Sequence, residues 1–205
     1  MKKQIATYSI TLFLALGSVS SADDGIQFFL GGSAGLSYTE NNVSGTTGNT
    51  DFDEIDNGYK IFGGVQFNDY IGLEMHFANL GGLGISGNSG DGYTTKNGNR
   101  YTFSNDNTSI STETYSTGIA PVFGVDVTDW FRPYVKAGYH YWKMDASVSV
   151  GNASAELTAD GFDPFFGVGI DFNLYEGLNI RTEYEHYILD EGSIDYVSGG
   201  MFFKF

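Results

Sequence analysis

The 205-residue chain has no cysteine and only three prolines. Without cysteine, neither a disulfide frame nor a thiolate metal site can form. Positive charge is scarce as well: 10 Lys and Arg stand against 25 Asp and Glu, a formal net charge of −15. A surface so poor in bases excludes nucleic acid as an expected partner, because phosphate binding needs a basic patch. Acidity of this degree suits an exterior that meets divalent cations, and solubility alone also accounts for it. Beyond residue 22 no apolar run reaches the roughly 20 residues that a membrane helix needs.

What the chain does have is glycine and aromatic residues, with Gly 29, Phe 17 and Tyr 14. Its first 22 residues carry charge only at Met1-Lys2-Lys3, followed by an apolar stretch from Ile5 to Leu16 and small residues at Ser20-Ser21-Ala22. That order reads as a secretory signal peptide over 1–22, with the mature chain starting at Asp23. Removing it takes two of the 10 bases and none of the 25 acids, leaving 8 against 25 and a formal charge of −17. No Pro-rich or Ser-rich linker divides residues 23–205, which read as one domain.

Alternation is the dominant pattern. In 162–172 the even positions are Phe, Pro, Phe, Val, Ile and Phe, and the odd ones Asp, Phe, Gly, Gly and Asp. In 179–188, Ile180, Thr182, Tyr184, His186 and Ile188 share one face, and Asn179, Arg181, Glu183, Glu185 and Tyr187 the other. Such a period of two marks strands. Eight segments show it, at about 26–39, 57–67, 70–80, 117–127, 131–145, 160–173, 178–189 and 195–205. The connections alternate: 68–69, 128–130 and 174–177 are tight, whereas 40–56, 81–116 and 146–159 read as long polar loops, with a shorter one near 190–194. Short turns at one end and long loops at the other are the plan of an outer-membrane barrel. In hydrocarbon a sheet can span only if it closes and satisfies its own backbone. The predicted fold is therefore all-β, an eight-stranded antiparallel up-and-down transmembrane β-barrel. Tyr70, Trp130, Phe131, Phe172, Tyr175 and Phe205 gather at the short-turn end as an interfacial girdle. Both termini fall on that side, which is predicted to be periplasmic, with the long loops extracellular.

The segments "YIGLEMHFANLGG" (70–82), "PFFGVGIDFNLYEGLNIRTEYEHY" (164–187) and "SGGMFFKF" (198–205) resemble the transmembrane domain of OmpA-type porins. The final octet is similar to the C-terminal assembly signal of bacterial outer-membrane barrels, carried here by Ser198, Gly200, Phe203 and Phe205. That likeness implies the barrel assembly machinery as a partner, beside outer-membrane lipid and lipopolysaccharide. Longer family members continue into a peptidoglycan-binding domain, so a chain ending at Phe205 is expected to lack that role. The family's inward acids and bases form a network that plugs the barrel. The matching positions are Glu74, Lys136, Asp171 and Arg181, while Val122 stands where a further base is expected. Each lies a few residues from a short turn, so at about 3.3 Å per residue they should share one depth.

Other motifs weigh less. Gly31-Gly-Ser33-Ala-Gly35 matches the hydrolase nucleophile elbow, but Ser33 sits mid-strand with Phe29, Gly31, Gly35 and Ser37 on its inward face. Gly82-Leu-Gly84-Ile-Ser-Gly87 matches a dinucleotide fingerprint without a βαβ unit behind it. His76 and His140 are placed inward and His186 toward lipid, too scattered for a metal site. His186 with Ser193 is the one catalytic pairing to consider, for a lipid-modifying enzyme; no catalytic residue and no cofactor is expected. Glu40, Asp51, Asp53, Glu54 and Asp56 crowd the first long loop, where divalent cations could sit, although a solvated acidic loop fits the spacing better. The expected function is structural and surface interaction through the extracellular loops, with no enzymatic activity and a loop partner that sequence does not identify. The alternative is a narrow gated channel.

Overall fold

The structure, a computed structural model, describes residues 25–190 and 192–205. The segment 1–22 read as a signal peptide lies outside the described residues. The described residues form a closed barrel of eight antiparallel strands: β1 Gln27–Thr39, β2 Ile55–Gln66, β3 Ile71–Asn79, β4 Thr108–Gly124, β5 Phe131–Val150, β6 Ala153–Tyr175, β7 Leu178–Leu189 and β8 Gly192–Lys204. Each strand pairs with its neighbours in sequence, and β8 returns to β1 in the register Phe29↔Lys204 through Thr39↔Ile194. Mutual backbone hydrogen bonds between Phe28 and Phe205, at 3.0 and 2.9 Å, extend this seam, and the two rings stack. Closure removes the edges that a sheet in lipid could not leave bare.

Three tight turns join the strands at one end. Between β6 and β7 the loop is Glu176-Gly177, both at positive φ (37° and 86°), the combination that suits a two-residue hairpin turn. A Cβ on Gly177 would also fall 2.5 Å from the Lys204 carbonyl oxygen. Asn68 caps the β2–β3 turn through its side-chain oxygen, which accepts from the backbone N–H groups of Tyr70 and Ile71. Around this end, Trp130, Phe131 and Phe172 pack with ring centroids 5.7 to 6.1 Å apart.

The three long loops predicted from sequence all carry strands. Residues 146–159 continue β5 and β6 as a paired hairpin, Ala146↔Leu157 through Val150↔Ala153, turning only at Gly151-Asn152. β4 likewise begins at Thr108 rather than 117. Within 81–116, strand Gly84–Gly87 pairs with the outer part of β4 and with Asp51–Asp53 of the first loop, whose Val43–Thr47 joins Gly92–Thr95 and Arg100–Thr102 in a separate three-stranded sheet. In the outer parts of β5 and β6 the alternation continues with polarity inverted, so one apolar outward face ends before them.

Candidate functional site

The interior is built by the inward residues of all eight strands, and it is layered. Nearest the short turns, Phe29, Phe62 and Phe202 meet edge to face at 5.9 and 6.0 Å. Beside them lie eight buried charged side chains among the described residues, Lys60, Arg132, Lys136 and Arg181 against Glu74, Asp171, Glu183 and Glu185, with Arg132 and Asp171 lining the short-turn mouth. Arg181 holds Asp171 through Nε at 2.7 Å and Glu74 through Nη1 at 2.5 Å. Its guanidinium also lies over the rings of Phe62, Tyr134 and Phe202, at 4.5 to 4.8 Å. Lys136 reaches Glu74 and Glu183 at 2.7 Å and Glu185 at 2.8 Å. Lys60 bridges Glu183 and Glu185, the latter at 2.5 Å. Arg132 extends the chain of charges to Asp171 at 3.7 Å and to Asp126 at the short-turn mouth at 3.4 Å.

A second aromatic layer closes over the ions. Phe165 and Tyr187 stack at 5.3 Å, with His76 and His140 packed edge-on against both. Ser116 bridges the imidazoles, 3.1 Å from His76 Nε2 and 3.0 Å from His140 Nδ1, and His140 Nε2 lies 2.9 Å from the Ile188 carbonyl. Gly118 makes the room, since a Cβ there would fall 2.6 Å from His76 Cε1. The Tyr187 hydroxyl donates to Glu185, joining this layer to the ions below. A barrel of eight strands has a lumen that side chains can fill.

The structure brings Glu74, Lys136, Asp171 and Arg181 into one contact chain, with Glu74 meeting both Lys136 and Arg181 and Arg181 also holding Asp171. It also widens the group. Glu183 and Glu185 stand on the inward face of β7 in the sequence pattern, and the alternation within 57–67 and 131–145 likewise places Lys60 and Arg132 inward. Lys60, rather than a residue of β4 beside Val122, supplies the further base. The sequence reading balanced two acids with two bases; the structure balances four with four, as buried charge requires.

Ser198, Gly200, Phe203 and Phe205 lie on β8 and its end, at the seam. Ser198 faces inward and Phe203 and Phe205 outward. Gly200 allows close approach of β1, for its Cβ would fall 2.3 Å from the Gly32 carbonyl oxygen. His186 faces outward but meets Asp195 at 2.6 Å, while the Ser193 hydroxyl donates to Glu40, so the His186–Ser193 pairing is replaced by two separate contacts. The acids of the first loop diverge: Glu54 accepts from Asn41 and Asp56 from the Gly82 N–H. Among the described residues no group of three or more His, Asp or Glu is placed to hold a metal ion.

Residues 9–204 match the family described as outer membrane protein beta-barrel domain. The chain belongs to this family. It is an outer-membrane β-barrel of the cell envelope. Outer membrane protein A of Salmonella typhi is 27% identical over 129 residues, 62% of this chain and 32% of that protein, and the Shigella flexneri protein of the same name is 26% identical over the same share. The chain therefore spans about a third of the length of these relatives. Among solved structures, Ail, the attachment invasion locus protein of Yersinia pestis, is 19% identical and aligns over 89% of this chain and 99% of its own, with a TM-score of 0.55. OprG of Pseudomonas aeruginosa aligns over 88% and 96% at 14% identity, with a TM-score of 0.54. Both likenesses are of fold.

Proposed function

We propose that this barrel is closed to solutes and works at the cell surface, its lumen serving as a rigid plug for a platform of strands and loops outside the membrane. The observation that carries this reading is the filled interior, in which a network of almost completely buried ion pairs packs between the Phe29–Phe62–Phe202 cluster and the layer of Phe165, Tyr187, His76 and His140. The short turns face the periplasm and the long β5–β6 hairpin faces outward, where it meets lipopolysaccharide and external partners. β5 and β6 run to 20 and 23 residues, about twice the 9–11 that cross a bilayer. The same fold carries a protein named for attachment and invasion, which fits a surface role.

A gated narrow conduit is the second reading. It draws on Lys136, which is shared among three carboxylates and so has alternative partners for a switch. Planar-bilayer recording of the refolded protein, with insertion verified and Arg181→Ala beside it, separates the two. A silent wild-type bilayer is expected. Discrete openings in the wild type that change with the substitution would overturn the plug and establish the conduit.

A further inference from the structure

The wall of the barrel is not paired to its full height. β6 pairs with β5 along its whole length from Ala153, but β7 joins it only from Phe165. Among the described residues, no strand pairs with the other edge of 153–164. That edge ends at Pro164, which has no N–H to offer a partner. Proteins normally shorten, cover or charge such an edge, because its free N–H and C=O groups accept another strand.

Two further features define what would pair there. The segment alternates in character: Ala155, Leu157 and Ala159 share the face toward the space above the lumen, and Glu156, Thr158 and Asp160 share the opposite face. Leu157 is 64% exposed, an apolar side chain without a covering partner. Directly beside Ala159 and Asp160 opens a cleft of about 570 Å³ lined by Leu83, Trp142, Met144 and Leu189. The edge segment has three acids and no base, and the neighbouring Lys143 is already engaged by Asp145 at 2.7 Å.

We infer that 153–164 is a docking edge for an extended basic segment of a partner protein, which adds as a strand beside β6. Its apolar side chains lie beside Leu157 and enter the Trp142–Met144 cleft, and its alternate Lys or Arg residues face Glu156 and Asp160. Backbone pairing supplies the affinity and the alternation supplies the selection. A second copy of this chain fits poorly, since edge-to-edge pairing would set acids against acids. The inference rests on the surface reading above, yet a silent bilayer decides nothing about it, so the two fail separately.

The probe is an eight-residue peptide of alternating Lys and Val, added to the refolded full chain in zwitterionic nanodiscs and followed by Trp142 emission and backbone amide exchange. Saturable binding is expected, with exchange slowed at least tenfold within 153–164. Binding should weaken at least tenfold for the double variant E156K/D160K, whose sites are exposed and whose folding is checked by heat-dependent gel mobility. A peptide N-methylated at alternate residues, which cannot form the ladder, should fail to bind the wild type. The inference is overturned by no binding, by equal binding of a Glu-Val peptide or the N-methylated one, or by protection located elsewhere. Concentration-dependent protection of 153–164 without peptide would also overturn it, assigning the edge to a second copy.

Discussion

Lys136 and Lys143 stand on the same strand, β5, in opposite surroundings. Lys136 points into the lumen, its side chain fully buried among Glu74, Glu183 and Glu185. Lys143 points outward, 47% exposed, against Asp145 at 43%. On the surface reading proposed above, one strand serves two solvents. Up to Tyr141 on β5, and from Phe162 on β6, the outward side chains are apolar: Val135, Ala137 and Tyr139 on one, Phe166, Val168 and Ile170 on the other. Beyond the cross-strand pair Tyr141↔Phe162 the pattern inverts. Lys143, Asp145, Glu156, Thr158 and Asp160 now point outward, and Met144, Ala146, Leu157 and Ala159 inward. An aromatic pair at the change is what a membrane interface selects.

The largest effect is expected where the charge has no water to fall back on. Lys136→Met leaves three carboxylates sharing Lys60 and Arg181, and it should cost about 3–5 kcal/mol, the usual penalty for breaking a buried pair. It is read as a lower temperature at which the folded gel band is lost; an unchanged temperature would mean that the network adds little. Next comes the lipid face: Val168→Arg should cost about 2–4 kcal/mol, as a cation near mid-membrane does, whereas Thr158→Arg on the same strand should cost under about 1 kcal/mol. Equal costs would erase the boundary between the two halves.

At the seam, Phe205→Ala removes the ring stacked on Phe28 and should cost about 1 kcal/mol. If the octet also acts as an assembly signal, the level of protein in the outer membrane falls further than this loss of stability explains. Lys143→Met is the direct counterpart of the first substitution and should change stability by less than about 1 kcal/mol, since exposed pairs are screened by water.

The smallest effect is in the loops. Asp91 accepts the Asn49 and Asn88 backbone N–H groups at 2.9 Å, and these bonds, Asn49 first, hold its carboxyl below the ordinary value of 3.8. A depressed carboxylate stabilises the folded loop above the unfolded pKa, and the contribution is lost as pH falls through the folded one. Amide exchange at Asn49 and Asn88 should therefore be protected at neutral pH and lose that protection in acid below about pH 4. Asp91→Asn should remove the pH dependence.

Legibility in the sequence followed the solvent. The eight membrane-crossing segments stand out because lipid demands one apolar face without interruption. The extension of β5 and β6 through 146–159 was hidden by the same rule, for Ser147, Thr158 and their neighbours alternate correctly but point the polar side outward. Glu74, Lys136, Asp171 and Arg181 could be placed through the family resemblance, which implies an inward network at those positions of the alternating strands. The role of Lys60 could not, since its partners Glu183 and Glu185 lie across the lumen on β7 and only closure of the barrel brings them together. The unpaired edge was invisible for a related reason: an absent partner is a property of strand lengths compared across a sheet, which no single segment records.

The most direct test is to locate the membrane boundary itself. Because the chain has no cysteine, single cysteines can be introduced at outward positions 156, 158, 160, 166 and 168 of β6, spin-labelled, and compared in bilayers for collisions with oxygen and with a water-soluble nickel chelate. Nickel should dominate at 156, 158 and 160 and oxygen at 166 and 168, with the crossing beside Phe162. Oxygen dominance continuing through 160 and 156 would bury the hairpin in lipid and contradict a strand built for two solvents.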